Sequence, residues 1–384
     1  MPFHFNIARE DLLRAISAQQ QITNKKGMLA ILANVLMEVQ HDKIIFSATD
    51  LEISLRHTVP AEVFETGSLT VPSKKLFELA RESSSPVLNF QEGEKNWIKI
   101  STGSSTYKLA GMVADEFPEF EQYNEEHLVE TEGEIICDLI DKTIFSVANE
   151  KENMYNLNAA LFQQFVENDK TVFRMVTSDG HRLSIMRRET EGAPLPDFEK
   201  FILIPKRGIQ QIRKFGEEQD RFQWGVEKKK IVLKSEDSLL VIRLMEGEFP
   251  DFENILNIVP DENNIFINKI LFLESLKRIN LFTEDTFHAI KFELDNNQLV
   301  LTSEHADFGS ARDEVAIEYS GEKLSLGFNC RYFMEALQVM EGENIQASIS
   351  LFSLKYVMTV ERLVNSTNMV PKYYILRERS CHGF

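Results

Sequence analysis

The densest group of polar side chains in the sequence is the run Thr177-Ser178-Asp179-Gly180-His181-Arg182. Serine, histidine and aspartate are the residue types of a nucleophilic triad. Adjacent residues of an extended segment point to alternate faces, however, so Ser178, Asp179 and His181 are badly placed to form a relay. We expect a tight turn that either bonds to neighbouring carbonyl groups or lines a binding surface. A hydrolase that uses Asp179 and His181 is the enzymatic alternative.

Other catalytic and metal-binding signatures are missing from the sequence. It holds no phosphate-binding loop, no dinucleotide-binding glycine pattern, no zinc-protease motif and no calcium loop. The eight histidines are dispersed, and Cys137, Cys330 and Cys381 are too widely spaced for a metal knuckle and odd in number for a disulfide framework. We therefore expect reduced structural thiols, no metal, no cofactor and no enzymatic activity.

Composition and charge limit the class of protein. The chain has 384 residues, of which 43% are hydrophobic and 27% charged, which is typical of a globular protein of two or three domains. No apolar run is long enough to span a membrane and no secretory signal is visible, so we expect a cytoplasmic protein without a membrane partner. The net charge of −18 argues against a protein that coats nucleic acid with its whole surface, but it permits a local basic surface.

The sequence contains an internal repeat. The segment ADEFPEFEQ at 114–122 reappears as EGEFPDFEN at 246–254, and a Val/Ile-Pro step that opens a basic amphipathic segment recurs at Pro72 and Pro205, 133 residues apart. The segments that begin at Phe46, Val176 and Leu301 form a further, looser set of copies. The chain is therefore predicted to be a triplication, with domains at 1–126, 127–256 and 257–384.

Each copy has the same predicted elements. Amphipathic spacing predicts two helices per copy, at 8–20, 73–82, 138–150, 205–216, 268–280 and 329–341. The intervening β-rich runs predict six to eight strands per copy, and Ile231–Leu244 reads as a hairpin around a Ser-Glu-Asp-Ser turn. The fold class is accordingly α+β, with helices on one face of antiparallel sheets.

One predicted helix carries an uninterrupted basic stripe. At the helical angle per residue, Lys206, Arg207, Arg213 and Lys214 lie opposite the apolar residues Ile209, Ile212 and Phe215. The six predicted helices together hold 14 basic and 10 acidic residues, an excess of +4, which leaves −22 for the rest of the chain. Such segregation suits a polyanion that is contacted by helices alone, whereas a solvated helix face is the simpler interpretation of any single stripe.

The triplication, the two F-P-x-F unit ends, the V-P-x-K helix entry and above all T-S-D-G-H-R-L at 177–183 resemble the bacterial DNA polymerase sliding clamps, the beta subunits of the replicative polymerase. The resemblance extends over residues 3 to about 362. It implies the DNA clamp fold, with three similar domains in each subunit and a head-to-tail homodimer of six domains that closes into a ring. It also implies a non-catalytic processivity factor whose helices line the hole around duplex DNA and which tethers the polymerase.

Elementary electrostatics is compatible with that function. Ammonium and guanidinium groups on helices contact phosphates without reading bases, so the attraction is independent of sequence and sensitive to salt, which permits sliding. A closed ring is retained on a circular duplex by topology, so a weak attraction suffices and an acidic exterior is tolerated.

The resemblance also assigns site residues. The DNA-facing positions that it implies are Lys26, Lys74, Lys151, Tyr155 and Asn156, to which the stripe adds Lys206, Arg207, Arg213 and Lys214. A hydrophobic groove between the second and third domains would accept linear peptides from the polymerase alpha subunit, the clamp loader, other polymerases and repair proteins. Its matching positions are Leu157, Ser178, Gly180, His181, Arg182, Leu183, Pro250, Asn254, Ile255, Leu354, Tyr374, Ile375 and Leu376.

The ring contact implied by the resemblance joins Tyr107 and Leu109 of the first domain to Leu281 and Phe282 of the third. Leu281 and Phe282 precede the polar run Thr283-Glu284-Asp285 and are expected to form an exposed apolar knob that dimer closure buries. The C-terminus departs from the family pattern, since it lacks the usual Pro and Met and runs on to Phe384. A clamp paralogue with an altered peptide groove is therefore a further alternative.

Overall fold

The computed structural model describes residues 2–23, 29–149, 156–190, 196, 198, 200–256, 264–284, 288–352, 355–362 and 371–376. Every structural statement below refers to these residues. Among them, no helix is both long enough and apolar enough to cross a membrane.

The first repeat contains nine strands and two helices. The strands are β1 (His4–Ala8), β2 (Asn34–Val39), β3 (Lys43–Thr49), β4 (Ile53–Pro60), β5 (Glu62–Glu65), β6 (Gly67–Pro72), β7 (Val87–Glu92), β8 (Trp97–Thr102) and β9 (Ser105–Ala110). The helices are α1 (Arg9–Thr23) and α2 (Ser73–Glu82), and α2 occupies the predicted range.

The second repeat contains eight strands and two long helices. The strands are β10 (Val129–Glu132), β11 (Ala159–Glu167), β12 (Lys170–Ser178), β13 (Arg182–Thr190), β14 (Ile202–Pro205), β15 (Arg221–Glu227), β16 (Lys230–Lys234) and β17 (Ser238–Arg243). The helices are α3 (Gly133–Asp141) and α4 (Lys206–Glu218), and the four-residue helix α5 (Glu253–Leu256) follows β17. The predicted hairpin is confirmed as β16 and β17, which pair antiparallel.

The third repeat has the same order of elements as the second. Its strands are β18 (Asn264–Asn268), β19 (Ala289–Asp295), β20 (Gln298–His305), β21 (Gly309–Glu318), β22 (Leu324–Asn329), β23 (Asn344–Phe352), β24 (Lys355–Arg362) and β25 (Lys372–Leu376). Its helices are α6 (Lys269–Asn280) and α7 (Cys330–Val339). All strand pairs are antiparallel among the described residues, so the α+β prediction of helices with antiparallel sheets is confirmed.

Two isolated bridges show how closely the first two repeats correspond. Thr70 bridges to Met112 in the first repeat, and Leu203 bridges to Met245 in the second. Both partners are displaced by 133 residues, which is also the spacing of the two helix-opening prolines. The repeat inferred from short motifs is thus a repeat of backbone pairing.

The chain forms two compact units, and the second repeat contributes to both. One unit comprises Met1–Gly133, Pro194–Phe198 and Glu218–Leu244; the other comprises Glu134–Ala193, Glu199–Glu217 and Met245–Phe384. The first unit contains a five-stranded sheet (β5-β1-β7-β8-β9) and an eight-stranded sheet (β10-β15-β16-β17-β4-β3-β2-β6). The second unit contains one twelve-stranded sheet (β14-β11-β12-β13-β25-β24-β23-β18-β21-β20-β19-β22).

The large sheets are continuous because consecutive repeats share a strand pair. In the first unit, β17 of the second repeat pairs with β4 of the first, from Ser238 opposite His57 to Ile242 opposite Ile53. In the second unit, β25 of the third repeat pairs with β13 of the second, and Arg182 lies opposite Ile375. The last strand of each repeat therefore pairs with the third strand of the helix-to-helix run in the preceding repeat.

Each unit buries its own apolar core. In the first unit, the apolar faces of α1 and α2 join alternate residues of β1 to β8, such as Phe5, Phe46 and Phe90. In the second unit, α6 and α7 pack with their sheets around Phe272, Phe292 and other aromatic residues. Burial of large rings at alternate strand positions is the period-two pattern of a sheet with one face covered.

The prediction of a helix over 138–150 is wrong. Helix α3 begins at Gly133, whose N–H bonds to the carbonyl of Asp220, and it ends at Asp141. Thr143 closes the helix because its hydroxyl donates to the Leu139 carbonyl at 2.7 Å and its φ of −133° leaves the helical region. Only a short 3-10 turn, Ile144–Ser146, follows.

A buried hydroxyl network joins the end of α3 to the sheet. The Thr177 hydroxyl donates to the Thr143 carbonyl at 2.7 Å, and the Ser146 hydroxyl lies 2.6 Å from that of Thr177 and 2.7 Å from that of Ser184. The third repeat has an equivalent bond, from the Ser303 hydroxyl to the Ile279 carbonyl at 3.1 Å. Since buried polar atoms must be satisfied, this network fixes the C-terminal end of α3 on β12 and β13.

Replacement of Thr177 by valine should therefore be costly. Thr177→Val keeps the side-chain shape but leaves the Ser146 hydroxyl and the Thr143 carbonyl each short of a partner in a buried site, so we expect the free energy of unfolding to fall by about 1–3 kcal/mol. Urea unfolding measures the change. The matched control is Thr171→Val on the same strand, where the side chain is half-buried and a change within about 0.5 kcal/mol is expected. Equal effects of the two substitutions would contradict the role of the network.

Candidate functional site

The turn between β12 and β13 contains the polar run singled out in the sequence. Asp179 Oδ1 accepts hydrogen bonds from the backbone N–H groups of His181 and Arg182 at 3.0 and 3.1 Å. The Ser178 hydroxyl accepts from the Gly180 N–H at 3.1 Å and donates to the Arg182 carbonyl at 2.8 Å. The predicted tight turn is confirmed. Because its serine and aspartate oxygens bind the backbone of the turn, this arrangement does not provide a nucleophile and a relay.

The first repeat forms the same turn between β3 and β4. Asp50, which precedes Asp179 by 129 residues, accepts from the backbone N–H groups of Glu52 and Ile53, and the Leu51 N–H donates to the Thr49 hydroxyl. The residue after each aspartate has a positive φ, 74° at Leu51 and 86° at Gly180. Glycine adopts this conformation without the steric cost that a side chain brings. The turn is thus a feature of the repeat rather than of one catalytic site.

Arg182 is held by several partners at once. Its Nε donates to Asp179 at 2.9 Å, its Nη1 to Glu335 of α7 at 2.5 Å and its Nη2 to the carbonyl of Phe145 at 2.8 Å. The guanidinium also lies over the rings of Phe145 and Tyr332, at 5.2 and 4.5 Å from their centroids. Only 9% of the residue is exposed. Arg182 therefore connects β13 to α7 and positions the turn, instead of presenting its charge to a ligand.

An apolar cluster lies beside this turn. Leu183 of β13 and Tyr374 of β25 are buried with Phe252, and Phe249 and Ile255 pack against them. Burial raises the pKa of the Tyr374 phenol to about 12, so its hydroxyl stays protonated. Three residues of the predicted peptide groove, Leu183, Ile255 and Tyr374, are thus brought together by one cluster.

The other predicted groove residues lie in different environments. Leu157 is buried and lies close to Gly180, Pro250 is half-buried, and the exposed Asn254 donates to Asp251 at 2.7 Å. His181 is exposed, and its ring stacks on Tyr332 with centroids 6.3 Å apart. Leu354 and the side chain of Leu376 lie outside the described residues.

Ile375 requires a correction. Its side chain belongs to the core cluster of the third repeat together with Tyr373, whereas Tyr374 belongs to the cluster beside the turn. Successive side chains of a strand point to opposite faces, so Tyr374 and Ile375 cannot line the same surface. The structure places Ile375 in the core.

The predicted DNA-facing lysine of α2 is available to a ligand. Lys74 is exposed, and no ion pair to it is found among the described residues. Lys26, Lys151 and Tyr155 lie outside the described residues. Asn156 has a positive φ of 59° and its side-chain amide donates to the Glu248 carbonyl at 3.0 Å, so it supports a turn.

The basic stripe of α4 is partly engaged within the protein. Ile209, Ile212 and Phe215 are buried as predicted. Lys206 donates to the Val147 carbonyl at 2.8 Å, while Arg207 and Lys214 are half-buried on the same helix. With the observed bounds, the six long helices hold 13 basic and 11 acidic residues, so the predicted excess of +4 falls to +2.

Arg213 is neutralised by neighbours that the stripe did not reveal. Its Nε and Nη2 donate to the carboxylate of Asp141 on α3 at 2.7 and 3.3 Å, and its Nη1 donates to Glu217 at 2.5 Å. The hydrogen bond from Asp141 raises the pKa of the guanidinium further above its usual range. A phosphate at this position would meet a guanidinium that is flanked by two carboxylates.

The described cysteines and acidic groups give no sign of metal chemistry. Cys137 and Cys330 form no disulfide, and burial raises the pKa of the Cys330 thiol to about 12; Cys381 lies outside the described residues. Within the described ranges, no group of three or more His, Cys, Asp or Glu side chains could hold a metal ion.

Two strand edges are left open by the pairing between repeats. Strand β9 is the last strand of the first repeat and pairs only with β8 among the described residues. On the outer edge of β21, β18 covers Ile317 and Glu318, and no described strand covers 309–316. These edges correspond to the strands that pair where repeats meet, so a second copy of the chain could join β9 to β21.

The predicted ring-contact residues lie at these open edges. Tyr107 on β9 is 43% exposed, and Leu281, just beyond α6, is 74% exposed. Leu109 and Phe282 are half-buried beside them. Large exposed apolar side chains at an unpaired sheet edge are typical of an interface.

A buried aromatic contact within the chain indicates how these residues would meet. Where β25 joins β13, Phe145 packs against Tyr373 with ring centroids 5.6 Å apart. The shared strand register makes Tyr373 the equivalent of Tyr107. The two equivalent hydroxyl-to-carbonyl bonds at the ends of α3 and α6 make Phe145 the equivalent of Leu281. The Phe145–Tyr373 contact is therefore a template for a contact between Leu281 and Tyr107 of another copy.

Comparisons with known proteins agree with this arrangement of repeats. Three family models match consecutive parts of the chain: the DNA polymerase III beta subunit N-terminal domain at residues 3–121, its central domain at 130–251 and its C-terminal domain at 257–369. The chain belongs to the DNA polymerase III beta subunit family. The sliding-clamp resemblance and the three-domain clamp fold are thereby confirmed.

Individual relatives are similar over nearly the whole chain. The beta sliding clamp of Chlamydia muridarum is 29% identical over 346 residues, which cover 90% of this chain and 92% of the relative. That of Vibrio cholerae is 28% identical over 357 residues, covering 90% and 93%. The crystal structure of the DNA polymerase III subunit beta from Pseudomonas aeruginosa superposes with a TM-score of 0.86 at 24% identity, covering 98% of this chain and 100% of that chain.

Family membership settles the class of protein. A sliding clamp is a non-catalytic processivity factor, so the chain is not an enzyme. Neither the hydrolase alternative nor the paralogue with an altered groove is supported by these comparisons.

The environment of Arg182 generates a stability prediction. Arg182→Met keeps the apolar stem but leaves Asp179 and Glu335 without their cation, so we expect a loss of about 2–4 kcal/mol in the free energy of unfolding. Chemical denaturation monitored by circular dichroism measures it. The control Arg312→Met removes an exposed guanidinium from β21 and should cost less than about 1 kcal/mol. An Arg182→Met protein as stable as the control would show that the arginine is held less firmly than its contacts indicate.

Proposed function

We propose that two copies of this sliding-clamp subunit close head to tail into a ring around duplex DNA. The ring slides without sequence preference and tethers the replicative polymerase to its template. We assign the three domains of each subunit to residues 1–126, 127–256 and 257–384. As a bacterial replication protein, it acts in the cytoplasm, where the chromosome lies.

The pairing of each repeat with the preceding one is the observation that carries this proposal. Two junctions, β17 with β4 and β25 with β13, are made within the chain. The series lacks one junction at each end, which leaves β9 and β21 open among the described residues. A heterologous contact between two copies makes that junction twice, and a rotation that closes on itself gives a ring.

The apolar cluster beside the Ser178–Arg182 turn supports a role in partner binding. We assign it to linear peptides with apolar anchors, supplied by the polymerase alpha subunit, the clamp loader, other polymerases and repair proteins. Leu183, Ile255 and Tyr374 supply apolar surface, while Asp179 and Arg182 hold the turn that borders it. Short peptides that bury apolar side chains in a preformed groove bind in this way.

For DNA, we assign the principal contacts to Lys74, Lys206, Arg207 and Lys214, with Lys26, Lys151, Tyr155 and Asn156 nearby in the sequence loops. Arg213 has a smaller share, since Asp141 and Glu217 flank its guanidinium. Contacts of this kind carry no sequence information and weaken as salt rises.

Ring closure can be tested at the exposed knob. Leu281→Ala combined with Phe282→Ala removes the apolar surface that the template places against Tyr107, so sedimentation velocity should show monomer where the unaltered protein is dimer. The matched control is Phe308→Ala, which removes a ring that is also highly exposed on the third repeat but lies in the β20–β21 turn. A double variant that stays dimeric at the same concentrations as the control would overturn the assignment.

The difference between Lys74 and Arg213 can be measured by salt dependence. Lys74→Gln should weaken binding to a short linear duplex and lower the slope of log affinity against log salt by about 1. Arg213→Gln should change both quantities less, because its charge is already balanced by Asp141. Asp141→Asn is the reciprocal variant and should strengthen binding. Equal losses for Lys74→Gln and Arg213→Gln would contradict the neutralisation.

A further inference from the structure

The outer face of the five-stranded sheet has an unusual row of side chains. His4, Gln91, Lys99 and Lys108 lie directly opposite one another across β1, β7, β8 and β9. The row contains no acidic residue, although the chain as a whole carries a charge of −18. Lys99 and Lys108 are both exposed and face each other, an arrangement that destabilises a sheet unless an anion lies between them.

A groove of about 570 Å³ opens beside this row and is lined by Trp97, Lys95, Lys99 and Lys108, with Glu94 as its acidic residue. The Trp97 side chain is 46% exposed. Within the described part of the chain, none of the three lysines forms an ion pair. The groove thus combines an accessible aromatic surface with three uncompensated positive charges.

A second aromatic surface lies at the other end of the row. The exposed ring of Phe64 on β5 contacts the ring of His4, with centroids 4.7 Å apart. Neighbouring strands are separated by about 4.8 Å, so the row from His4 to Lys108 extends over roughly 14 Å. The sheet face therefore presents aromatic rings at both ends of a polar and basic strip.

The other two repeats cover the equivalent face. Val232 and Val241 of the second repeat correspond to Lys99 and Lys108, and both are buried in a cluster against which Phe120 and Tyr123 pack. These covering residues come from the segment that links the first repeat to the second. The first repeat has no preceding segment of this kind, and it has lysines where the second has valines.

The third repeat shows the same covering. Thr359 lies opposite Tyr374, at the positions that correspond to Lys99 and Lys108, and both residues are buried. Phe252, from the segment that links the second repeat to the third, packs against Tyr374. Only in the first repeat is this face open to a ligand from outside the chain.

We infer that the outer face of the first repeat binds single-stranded nucleic acid. Bases stack on the Trp97 ring, and phosphates lie between the ammonium groups of Lys95, Lys99 and Lys108. Stacking on an exposed ring combined with lysine contacts to the backbone is how single strands bind without sequence preference, and antiparallel sheet faces with exposed aromatic rings are platforms for such binding.

The residues of the groove favour a single strand over other anionic ligands. An acidic peptide would need a pocket for an apolar anchor, whereas Ile98 is fully buried and Trp97 offers a flat, open surface. Duplex DNA keeps its bases stacked on each other, so its bases cannot stack on Trp97. The site lies within one subunit, and it does not depend on ring closure.

Tryptophan fluorescence tests the inference directly. The chain has two tryptophans, and Trp224 is only 3% exposed, so quenching by an added oligonucleotide reports on Trp97. A short oligothymidylate should quench the emission of the full-length protein at low salt, and the quenching should weaken as salt rises. A duplex of the same length should quench far less. Equal quenching by the duplex, or no quenching by the single strand, would overturn the inference.

Two variants and a control localise the binding. Lys99→Glu with Lys108→Glu should weaken the quenching curve by about tenfold or more, and Trp97→Ala should weaken binding of a fluorescein-labelled oligothymidylate by a similar factor. The control, Lys228→Glu with Lys323→Glu, makes the same change of charge at exposed lysines of other turns and should leave binding within about twofold.

Further arms separate this site from its alternatives. The Leu281→Ala/Phe282→Ala protein should keep the quenching even as a monomer, which distinguishes failure of this site from failure of the ring. If the lysines serve only to protect a sheet edge, the control and the Lys99/Lys108 variant will bind alike and the inference is wrong. Polyglutamate that quenches Trp97 as strongly as the oligonucleotide would assign the groove to an acidic peptide instead.

Discussion

Antiparallel pairing between the last strand of one repeat and the third strand of the preceding one is the interaction on which the rest of the structure depends. It makes β17 continuous with β4 and β25 continuous with β13, so that each large sheet passes from one repeat into the next. An unpaired strand edge is an unstable surface in water, because its N–H and C=O groups and its flanking apolar side chains seek a partner. A chain built from three such repeats always has one unsatisfied junction at each end, and a second copy supplies the missing strand.

The same logic explains how charge is distributed. Coulombic attraction to DNA is strong only where a cation lacks an intramolecular partner, and the structure separates lysines and arginines by that criterion. Arg213 and Arg182 are committed to carboxylates on neighbouring helices and turns. Lys74 remains accessible. A clamp that is held by topology does not need every cation on its helices, so many can stabilise the fold instead.

Some features could be predicted from sequence because their causes are local. The Asp179-Gly180 turn follows from side-chain bonding to the nearby backbone, and the repeat follows from short motifs at fixed spacing. Features with distant causes could not. The Arg213–Asp141 pair joins residues 72 positions apart, Arg182 reaches Glu335 on a helix of the next repeat, and the direction of Ile375 depends on which strand pairs with β25. The end of α3 was missed because buried hydroxyl groups, which periodicity does not reveal, determine it.

Retention on circular DNA tests the central claim most directly. The protein is assembled on a closed circular duplex with its clamp loader and washed at high salt, and the bound fraction is measured before and after a single enzymatic cut of the circle. If the ring encircles the duplex, the protein should survive the wash on intact circles, since salt abolishes the attraction but not the topological link, and it should be lost once ends are available. Equal loss from intact and cut molecules would contradict the account.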